Sequence, residues 1–325
     1  MKPPRVLLVE GLRPDALAWL RERAEVVVAA DHRAETLMRL APEIDGIVIR
    51  ANGRIDDPLL AHAPRLRVVA RHGVGLDNID VQACSRRGIW VVFTPLANVE
   101  AVAEHTVALI LASAKALLRS DRAVRAGEFT AARQVVVAQE LRGRTLGIVG
   151  FGHIGQRVAE ICRAAFAMPV LFTDVLPQRE AAQRLGATPV SLDELLARAD
   201  VVSLHVPLTP QTHHLLDAVA LARLSPGAVL VNTSRGAVLD EQALVAALRA
   251  GRLSVGLDVY EEEPLPGTHP LAALPNVVLS PHNASHTEPA LRAMSMVVED
   301  VMRVLHGEMP RYPANMPESP SGRRP

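Results

Sequence analysis

Short runs of β-branched and apolar residues alternate with helical patterns along almost the whole chain. Five strand-like runs fall between residues 5 and 93: RVLLVE, EVVVAA, GIVIR, LRVVA and IWVVF. Six more fall between residues 145 and 280: TLGIVG, MPVLFTD, ADVVSLH, GAVLVN, LSVGLDV and NVVLS. Strands that alternate with helices favour parallel sheets, because each parallel crossover usually needs a helix. The pattern therefore predicts an α/β fold with two doubly wound parallel-sheet domains.

A long helical pattern connects the two sets of strands. It runs from about Asn98 to Ala126, and Asn98 is suited to cap its N-terminus. The last helical pattern, at 288–306, follows the second set of strands, and we expect it to return to the first domain. The predicted domains are 1–97 with 288–325, and 98–287. The final dozen or so residues, including NMPESPSGRRP, have the composition of a disordered end.

Composition narrows the classes of protein to consider. Apolar residues make up 49% of the 325 positions, and 35 basic residues balance 35 acidic ones. A balanced charge offers no strong field for nucleic acid or a membrane surface. Cys84 and Cys162 are too few for a disulfide scaffold, which favours a reducing compartment. We therefore expect a soluble, cytoplasmic protein.

Two segments could be mistaken for membrane signals. The start, MKPPRVLLVEG, has an apolar run too short for a signal peptide and is typical of a first strand. Residues 101–118 form a longer apolar stretch, but Glu104, His105 and Lys115 interrupt it. A buried helix is the better interpretation, so we expect no membrane partner.

The segment GIVGFGHIG places Gly150, Gly152 and Gly155 in G-x-G-x-x-G spacing between a predicted strand and a predicted helix. In this context the first glycine makes a tight turn, the second admits pyrophosphate and the third allows close helix–strand packing. The next strand ends in Asp174, whose carboxylate can bind the adenosine ribose and would repel a 2′-phosphate. The sequence thus predicts an NAD site. The alternative is a glycine turn without ligand, with Asp174 a solvated strand end.

Polar loops follow three successive predicted strands of the second domain. They carry Arg235, then the acids Glu261, Glu262 and Glu263, then His282 with His286 nearby. If the strands are parallel, all three loops leave the carboxyl edge of the sheet, where such sheets bind ligands. Spacing alone does not choose among the three acids.

This set of side chains suits the reduction of a 2-oxo acid. A guanidinium can hold the substrate carboxylate with two hydrogen bonds, and a histidine can donate a proton to the carbonyl oxygen as hydride arrives. A neighbouring carboxylate favours the protonated imidazole. We therefore predict hydride transfer between nicotinamide and C2 of a small 2-hydroxy or 2-oxo acid.

At this point the chain resembles the D-isomer-specific 2-hydroxyacid dehydrogenase family over nearly its whole length. The matching segments are ARHGVGLDNID, TPLANVEAVAEHTVALIL, GRTLGIVGFGHIG, HVPLTPQTHHLL, VLVNTSRGAVLDEQAL, GLDVYEEEP and LSPHNASHTE. The resemblance implies a Rossmann NAD-binding domain inserted in a flavodoxin-like substrate domain. It also implies an active site in the cleft between them, domain closure, and a homodimer formed through the cofactor domain with the helix near 98–119 at the interface.

The resemblance assigns roles to individual residues. Arg235 holds the substrate, Glu263 is the acidic partner, and His282 is the acid/base. In the first domain, the backbone N–H groups of Val74 and Gly75 meet the substrate carboxylate. Asp258 resembles the family's supporting carboxylate, although a purely structural aspartate is the alternative. The remaining residues that we assign to the cofactor site, with Asp258, are His153, Ile154, His205, Val206, Pro207 and Thr233.

The chain departs from the family at two places, and both concern the substrate pocket. It has PHNAS where members usually have PHIGG or PHIAG, and Phe129 where a tryptophan is common. The segment VVARHGVGLDNID resembles phosphoglycerate dehydrogenases more than glyoxylate reductases. Arg71 and Arg54 are therefore candidates to bind a phosphate or similar anion, the alternative being solvated loop arginines.

Other functions remain as alternatives. One is a glyoxylate/hydroxypyruvate reductase, and another, of a different class, is a non-catalytic NAD-sensing regulator with the same fold. Histidine-ligated metal chemistry is set aside, so we expect no metal site. The sequence does not identify the acid, whether it is phosphorylated, or the direction of the reaction in the cell.

Overall fold

The computed structural model describes residues 2–317 and divides the chain into two compact units. Unit 1 comprises Met1–Asn98 and His286–Pro325, and unit 2 comprises Val99–Ser285. Both divisions fall within two residues of the domain bounds expected from the sequence. Most of the tail expected to be disordered, residues 318–325, lies outside the described residues. Asn315, at the start of that tail, accepts a hydrogen bond from the Val91 N–H at 2.7 Å.

Unit 1 contains a sheet of five parallel strands in the order β2-β1-β3-β4-β5. This is the flavodoxin-like order, and all five strands coincide with apolar runs of the sequence. Buried strands dominate because helices cover both faces, as in β3, where every residue is buried. The strands are β1 Arg5–Leu8, β2 Glu25–Val28, β3 Gly46–Ile49, β4 Val68–Arg71 and β5 Trp90–Val92, and the helices are Pro14–Arg21, Ala34–Leu40, Asp57–Ala61, Val81–Arg86, Glu288–Ser295 and Val298–Leu305.

The C-terminal helices belong to unit 1. Val301 packs 3.2 Å from the position of a Cβ on Gly46 of β3, and Arg67 of unit 1 donates a hydrogen bond to the Leu305 carbonyl oxygen at 2.8 Å. The single helical pattern expected at 288–306 is interrupted, since one helix ends at Ser295 and the next begins at Val298.

Unit 2 contains a seven-stranded parallel sheet in the order β12-β11-β10-β9-β6-β7-β8. It has the Rossmann order with one additional strand at the edge. The sequence predicted six of these strands and missed β8, which has two exposed residues and no apolar run to reveal it. The strands are β6 Leu146–Val149, β7 Val170–Thr173, β8 Thr188–Pro189, β9 Val201–Leu204, β10 Ala228–Asn232, β11 Leu253–Leu257 and β12 Val277–Leu279, and the helices are Val99–Ala114, Leu117–Arg125, Phe129–Val135, His153–Phe166, Arg179–Leu185, Leu192–Arg198, Ala218–Arg223, Glu241–Arg249 and Pro270–Ala273.

The long helix predicted from Asn98 to Ala126 is wrong in one respect, because the structure breaks it. One helix ends at Ala114 and the next begins at Leu117, with a bend of 61° between them and Ala116 at φ +47°. The first helix is packed into the core of unit 2, whereas no residue of the second is buried. The N-cap prediction also fails, since the side-chain oxygen of Asn98 is buried without a hydrogen-bond partner.

Within residues 2–317, no single helix is long and apolar enough to cross a membrane. Two helices separated by a bend, Val99–Ala114 and Leu117–Arg125, together satisfy the length and composition criterion for a membrane span. This is weak evidence for a span, since a buried core helix satisfies the same criterion.

Candidate active site

The three glycines of the fingerprint occupy different environments at the carboxyl end of β6. Gly150 has φ +92°, and a Cβ there would lie 2.5 Å from the His205 carbonyl oxygen. A Cβ on Gly155 would lie 2.3 Å from the Gly150 carbonyl oxygen, so this glycine permits the helix to approach the turn. A Cβ on Gly152 would meet no atom within 4 Å, which leaves open space at the start of the helix.

That open space is suited to a phosphate group. Gly152 is the N-cap of the helix His153–Phe166, and no side chain caps this N-terminus. The first-turn residues, including His153 and Ile154, therefore present backbone N–H groups and the positive end of the helix dipole. The residues present fit the pyrophosphate of a dinucleotide.

Asp174 follows β7 and lies beside the glycine turn. Its Oδ2 accepts a hydrogen bond from the Phe151 N–H at 2.6 Å, and its Oδ1 accepts one from the Leu176 N–H at 2.8 Å. The side chain thus holds two loops together while remaining half-buried at the edge of the sheet. A carboxylate has further lone pairs, so these contacts leave acceptor capacity for ribose hydroxyls.

The other predicted cofactor residues lie on the loops next to this turn. His205 follows β9, and its Nε2 lies 2.8 Å from Ser203 Oγ. Burial lowers the pKa of His205 to about 3, so its imidazole is neutral near pH 7. Val206 is half-buried and Pro207 is exposed. Thr233, after β10, has its Oγ1 2.9 Å from Thr106 Oγ1 of the helix Val99–Ala114.

The loop that carries Arg235 is shaped by the residue that ends β10. Asn232 is fully buried, and its Oδ1 accepts hydrogen bonds from both the N–H and the hydroxyl of Ser234. Its amide nitrogen donates to the Arg235 carbonyl oxygen at 2.8 Å. A Cβ on Gly236 would lie 1.8 Å from the Tyr260 carbonyl carbon. Only glycine permits this approach, which sets the arginine loop against the loop after β11.

Glu263 and His282 form a hydrogen-bonded pair at the same edge of the sheet. His282 Nδ1 lies 2.7 Å from Glu263 Oε2, and Glu263 Oε1 accepts a hydrogen bond from the Tyr260 N–H at 3.1 Å. Burial is the largest single effect and raises the pKa of Glu263, whereas the hydrogen bond and the charge of His282 lower it. The Tyr260 N–H and the charge of Arg235 lower it further, so the net pKa lies below the ordinary value. The carboxylate is ionised near neutral pH, and the imidazole Nε2 is left for another partner.

Asp258, at the end of β11, holds the histidine loop in place. It is 1% exposed, and its carboxylate accepts hydrogen bonds from Ser280 Oγ at 2.7 Å, the Asn283 N–H at 3.0 Å and the Ala284 N–H at 2.9 Å. Its carbonyl oxygen accepts one from the His282 N–H at 2.8 Å. These bonds stabilise the loop around His282, which has φ +51°.

The three consecutive acids, which spacing could not separate, have different contacts. Glu261 Oε1 accepts a hydrogen bond from the Glu241 N–H at 2.9 Å and lies 3.0 Å from His214 Nε2. Glu262 is exposed. Glu263 is the acid that contacts His282, and it is also the one that the resemblance names.

The remaining predicted site residues lie in unit 1, at the carboxyl end of β4 and in the loop after β3. Arg71 Nε donates a hydrogen bond to the Gly75 carbonyl oxygen at 2.5 Å, which ties down the turn that carries Val74. The Thr94 N–H and hydroxyl both donate to the Gly73 carbonyl oxygen at 3.1 Å. Arg54 is exposed.

Positive charge accumulates near His72 in unit 1. Burial is the main cause that lowers the pKa of His72, and the charges of Arg50, Arg71 and His286 contribute, so the pKa falls to about 4. The His72 Nε2 lies 3.1 Å from Ser295 Oγ. Arg50 is not among the site residues predicted from the sequence, since nothing in its spacing separates it from the chain's other arginines.

Four residues that hold the unit 2 site together were not predicted from the sequence: His105, Glu241, Tyr260 and Ser280. Their contacts join residues far apart in the chain, so no local motif marks them. In the part of the chain that the structure describes, no group of three or more potential ligands could hold a metal ion.

The chain is similar to known proteins over most of its length. A family model described as D-isomer specific 2-hydroxyacid dehydrogenase, NAD binding domain, matches residues 107–284. Glyoxylate reductase of Aeropyrum pernix is 44% identical over 320 residues, which cover 95% of each chain. D-3-phosphoglycerate dehydrogenase of Archaeoglobus fulgidus is 37% identical over 316 residues, which cover 96% of this chain but 59% of that protein. The holo form of Rhodotorula graminis D-mandelate dehydrogenase has a TM-score of 0.90 and 31% identity, and the match covers 99% of this chain and 100% of that one.

Proposed function

We propose the catalytic residues of a chain that belongs to the D-isomer-specific 2-hydroxyacid dehydrogenase family and is an NAD-dependent enzyme acting on 2-hydroxy or 2-oxo acids. These residues are Arg235, Glu263 and His282. The observation that carries the proposal is the 2.7 Å contact between Glu263 Oε2 and His282 Nδ1. The alternative of a non-catalytic NAD sensor is not retained, because the matched curated relatives are enzymes.

When bound, the nicotinamide supplies hydride to C2 of the 2-oxo acid or accepts hydride from the 2-hydroxy acid. The chain's own residues hold the dinucleotide. The N–H groups at the start of the helix His153–Phe166 bind the pyrophosphate, and Asp174 binds the ribose hydroxyls. The rest of the cofactor is bordered by the remaining residues of the predicted site: His205, Val206, Pro207, Thr233 and Asp258.

His282 moves the proton. In reduction its Nε2 donates a proton to the carbonyl oxygen of the substrate, and in oxidation it accepts the proton from the hydroxyl group. Glu263 accepts the hydrogen bond of Nδ1–H, which fixes the tautomer and stabilises the imidazolium.

Arg235 orients the acid. A guanidinium presents paired N–H donors that match a carboxylate and an adjacent carbonyl oxygen. The backbone N–H groups of Val74 and Gly75 contribute further donors to the substrate carboxylate.

We propose that the substrate carries a second anionic group, as 3-phosphoglycerate does. The charges of Arg50, Arg71 and His286, which lower the pKa of buried His72, support this proposal. Arg71 and Arg54 are the residues that bind the second anion. The test is a panel of 2-oxo acids with NADH and NADPH in parallel, in which 3-phosphohydroxypyruvate has the highest kcat/KM. Equal or better reduction of glyoxylate would contradict the proposal.

Reduction of glyoxylate or hydroxypyruvate is the second candidate activity. Two observations favour it. The glyoxylate reductase of Aeropyrum pernix matches the chain over 95% of both lengths. In addition, Arg71 Nε is already bonded to the Gly75 carbonyl oxygen, which gives this arginine a structural role without any phosphate.

We also propose a homodimer formed through the cofactor domain, in the cytoplasm. The helices Leu117–Arg125 and Phe129–Val135 have no buried residues, although they carry large apolar side chains. Four of these side chains are 53–61% exposed: Leu117, Val124, Phe129 and Val135. Short helices that bury no apolar side chain gain little stability alone, so a second copy of the chain is the occupant that we propose for this surface. Light scattering of the purified protein tests it, and the mass of a monomer would contradict it.

A further inference from the structure

His105 lies on the helix Val99–Ala114 and contacts the histidine loop from a different element of unit 2. Its side chain is 26% exposed, and its Nε2 lies 2.9 Å from Ser280 Oγ. The same hydroxyl lies 2.7 Å from Asp258 Oδ1. Ser280 thus connects an imidazole on a helix with the buried carboxylate that holds the loop of His282.

The direction of each hydrogen bond follows from the number of protons available. The hydroxyl of Ser280 has one proton, and the carboxylate of Asp258 can only accept, so Ser280 donates to Asp258. The Ser280 oxygen then has only lone pairs for His105. His105 must therefore carry a proton on Nε2 and donate it. This link is lost if the side chain at 105 cannot donate.

Asp258 in turn holds His282 in position through hydrogen bonds to the backbone of the histidine loop. Its carboxylate accepts hydrogen bonds from the Asn283 and Ala284 N–H groups, and its carbonyl oxygen accepts one from the His282 N–H. A carboxylate that is 1% exposed needs a complete set of donors, because an unpaired buried charge is costly. His105 Nε2 is also 3.6 Å from Asp258 Oδ1, so any positive charge on its ring lies beside that carboxylate.

Packing alone does not call for a polar ring at position 105. The adjacent buried Thr106 is polar, but its hydroxyl contacts Thr233 rather than the histidine loop. Other buried neighbours on the same helix, such as Ala103 and Leu109, are small or apolar. Each of them contributes to the core without a hydrogen bond to the histidine loop in the structure. A leucine at position 105 would suit the helix equally well by propensity.

We propose that His105 is a positioning residue for His282, which acts by donating a hydrogen bond to Ser280 and thereby orienting the carboxylate of Asp258. The proposal rests on the assignment of His282 as the acid/base. It predicts that the donor at position 105, rather than the volume of the ring, controls the turnover number.

The experiment compares His105→Leu with His105→Gln, using hydroxypyruvate and saturating NADH. Leucine removes the donor, whereas glutamine places an amide N–H near the position of the imidazole Nε2. We expect His105→Leu to lower kcat by about tenfold, the equivalent of one lost hydrogen bond. His105→Gln should recover most of that loss, and KM for hydroxypyruvate should change by less than about threefold in both variants. Equal kcat in the leucine and glutamine variants would overturn the proposal.

His269 offers a matched control on the same unit. It is also 26% exposed, and its Nε2 is also 3.6 Å from a buried carboxylate, that of Glu241. Its polar contacts are with the Leu271 N–H, at Nδ1, and with Glu241, at Nε2, rather than with Ser280. His269→Leu should leave kcat within about twofold of wild type. A tenfold loss there would show that removing any half-buried imidazole has this effect and would overturn the proposal.

Ser280→Ala breaks the same link by removing a single oxygen, and it serves if His105→Leu lowers the yield of folded protein. Ser280→Ala also removes the donor to Asp258 Oδ1, so we expect a loss of kcat at least as large as in His105→Leu. The double variant should be no slower than Ser280→Ala alone, because His105 acts only through this hydroxyl. Additive losses would overturn the proposal. His282→Gln in the same assay separates the two proposals: if that variant keeps its activity, the assignment of His282 is wrong, whereas an inactive His282→Gln beside an unaffected His105→Leu refutes only the role of His105.

Discussion

Glu263 Oε2 and His282 Nδ1 lie 2.7 Å apart although 19 positions separate the two residues in the chain. The contact pairs one ring nitrogen with an ionised carboxylate and leaves Nε2 for another partner, which in our proposal is the substrate. Because an ionised carboxylate can only accept, Nδ1 is the nitrogen that donates in this contact. Two predictions depend on it.

The first prediction concerns proton transfer. His282→Gln should lower kcat by about two to four orders of magnitude, because the variant cannot donate or accept the proton at the substrate oxygen. Binding of NADH should change little, and fluorescence titration of NADH measures it. A variant with wild-type kcat would mean that another group, with His286 the next candidate, moves the proton.

The second prediction concerns the pH dependence of the reaction. Glu263→Gln removes a negative charge from beside the ring, which disfavours the imidazolium at every pH. Reduction needs the protonated ring, so its decline on the basic side should begin at lower pH than in wild type. Oxidation needs the neutral ring, so its rise on the acidic side should also move to lower pH. Glu262→Gln is the matched control, since Glu262 is exposed, and its profiles should match wild type.

The three consecutive glutamates of the loop after β11 show how much of the site could be predicted from the sequence. The sequence cannot distinguish them, because all three are the same residue type in succession. In the folded chain Glu261 contacts Glu241 and His214, whereas Glu263 contacts His282. The strands, by contrast, were predictable wherever a buried run was long. β8 was missed because two exposed residues give no periodic signal.

The break in the long helix could not be predicted for a related reason. Ala116 adopts φ +47° without a glycine or proline to mark the position. Alanine is a strong helix former, so propensity predicts continuation there. The break coincides with the point where burial ends, since Ala114 is buried and no residue of the following helix is, and local sequence does not show where burial will end.

The third prediction concerns cofactor preference. Asp174→Asn keeps one side-chain oxygen, which can accept from the Phe151 N–H or the Leu176 N–H but leaves the other facing an amide NH2. It also loses the charge, so it should narrow the preference for NADH over NADPH. Asp174→Ala loses the acceptors as well, and NADH binding should weaken by about 1–3 kcal/mol. Ratios of kcat/KM for the two cofactors measure both effects. If wild type already uses NADPH as well as NADH, the role assigned to Asp174 is wrong.

The fourth prediction concerns stability in acid. The pKa of His72 is about 4 in the folded protein, against an ordinary value of 6.5. Between these two pH values the unfolded chain binds the proton and the folded chain does not, so stability falls as pH decreases through this window. His72→Gln cannot titrate, and its free energy of unfolding should depend less steeply on pH, by up to about 1.4 kcal/mol per pH unit. Urea unfolding between about pH 4 and 6.5 measures the slope, and equal slopes would contradict the burial of a neutral His72.

The last prediction concerns the second anion of the substrate. Arg71→Ala is a poor test, because it also removes the hydrogen bond to the Gly75 carbonyl oxygen and should slow the enzyme with every acid. Arg54 is exposed, so Arg54→Ala tests the effect of removing a positive charge without removing the hydrogen bond that Arg71 makes to the Gly75 carbonyl oxygen. With 3-phosphohydroxypyruvate, kcat/KM should fall by roughly ten- to a hundredfold, the equivalent of one charge-assisted hydrogen bond, whereas with hydroxypyruvate it should be unchanged. Arg39→Ala is the control, since Arg39 is an exposed arginine at the end of the helix that leads to the amino edge of the same sheet. The two acids differ only in the phosphate, so an equal effect on both, or none on either, would favour a small unphosphorylated substrate.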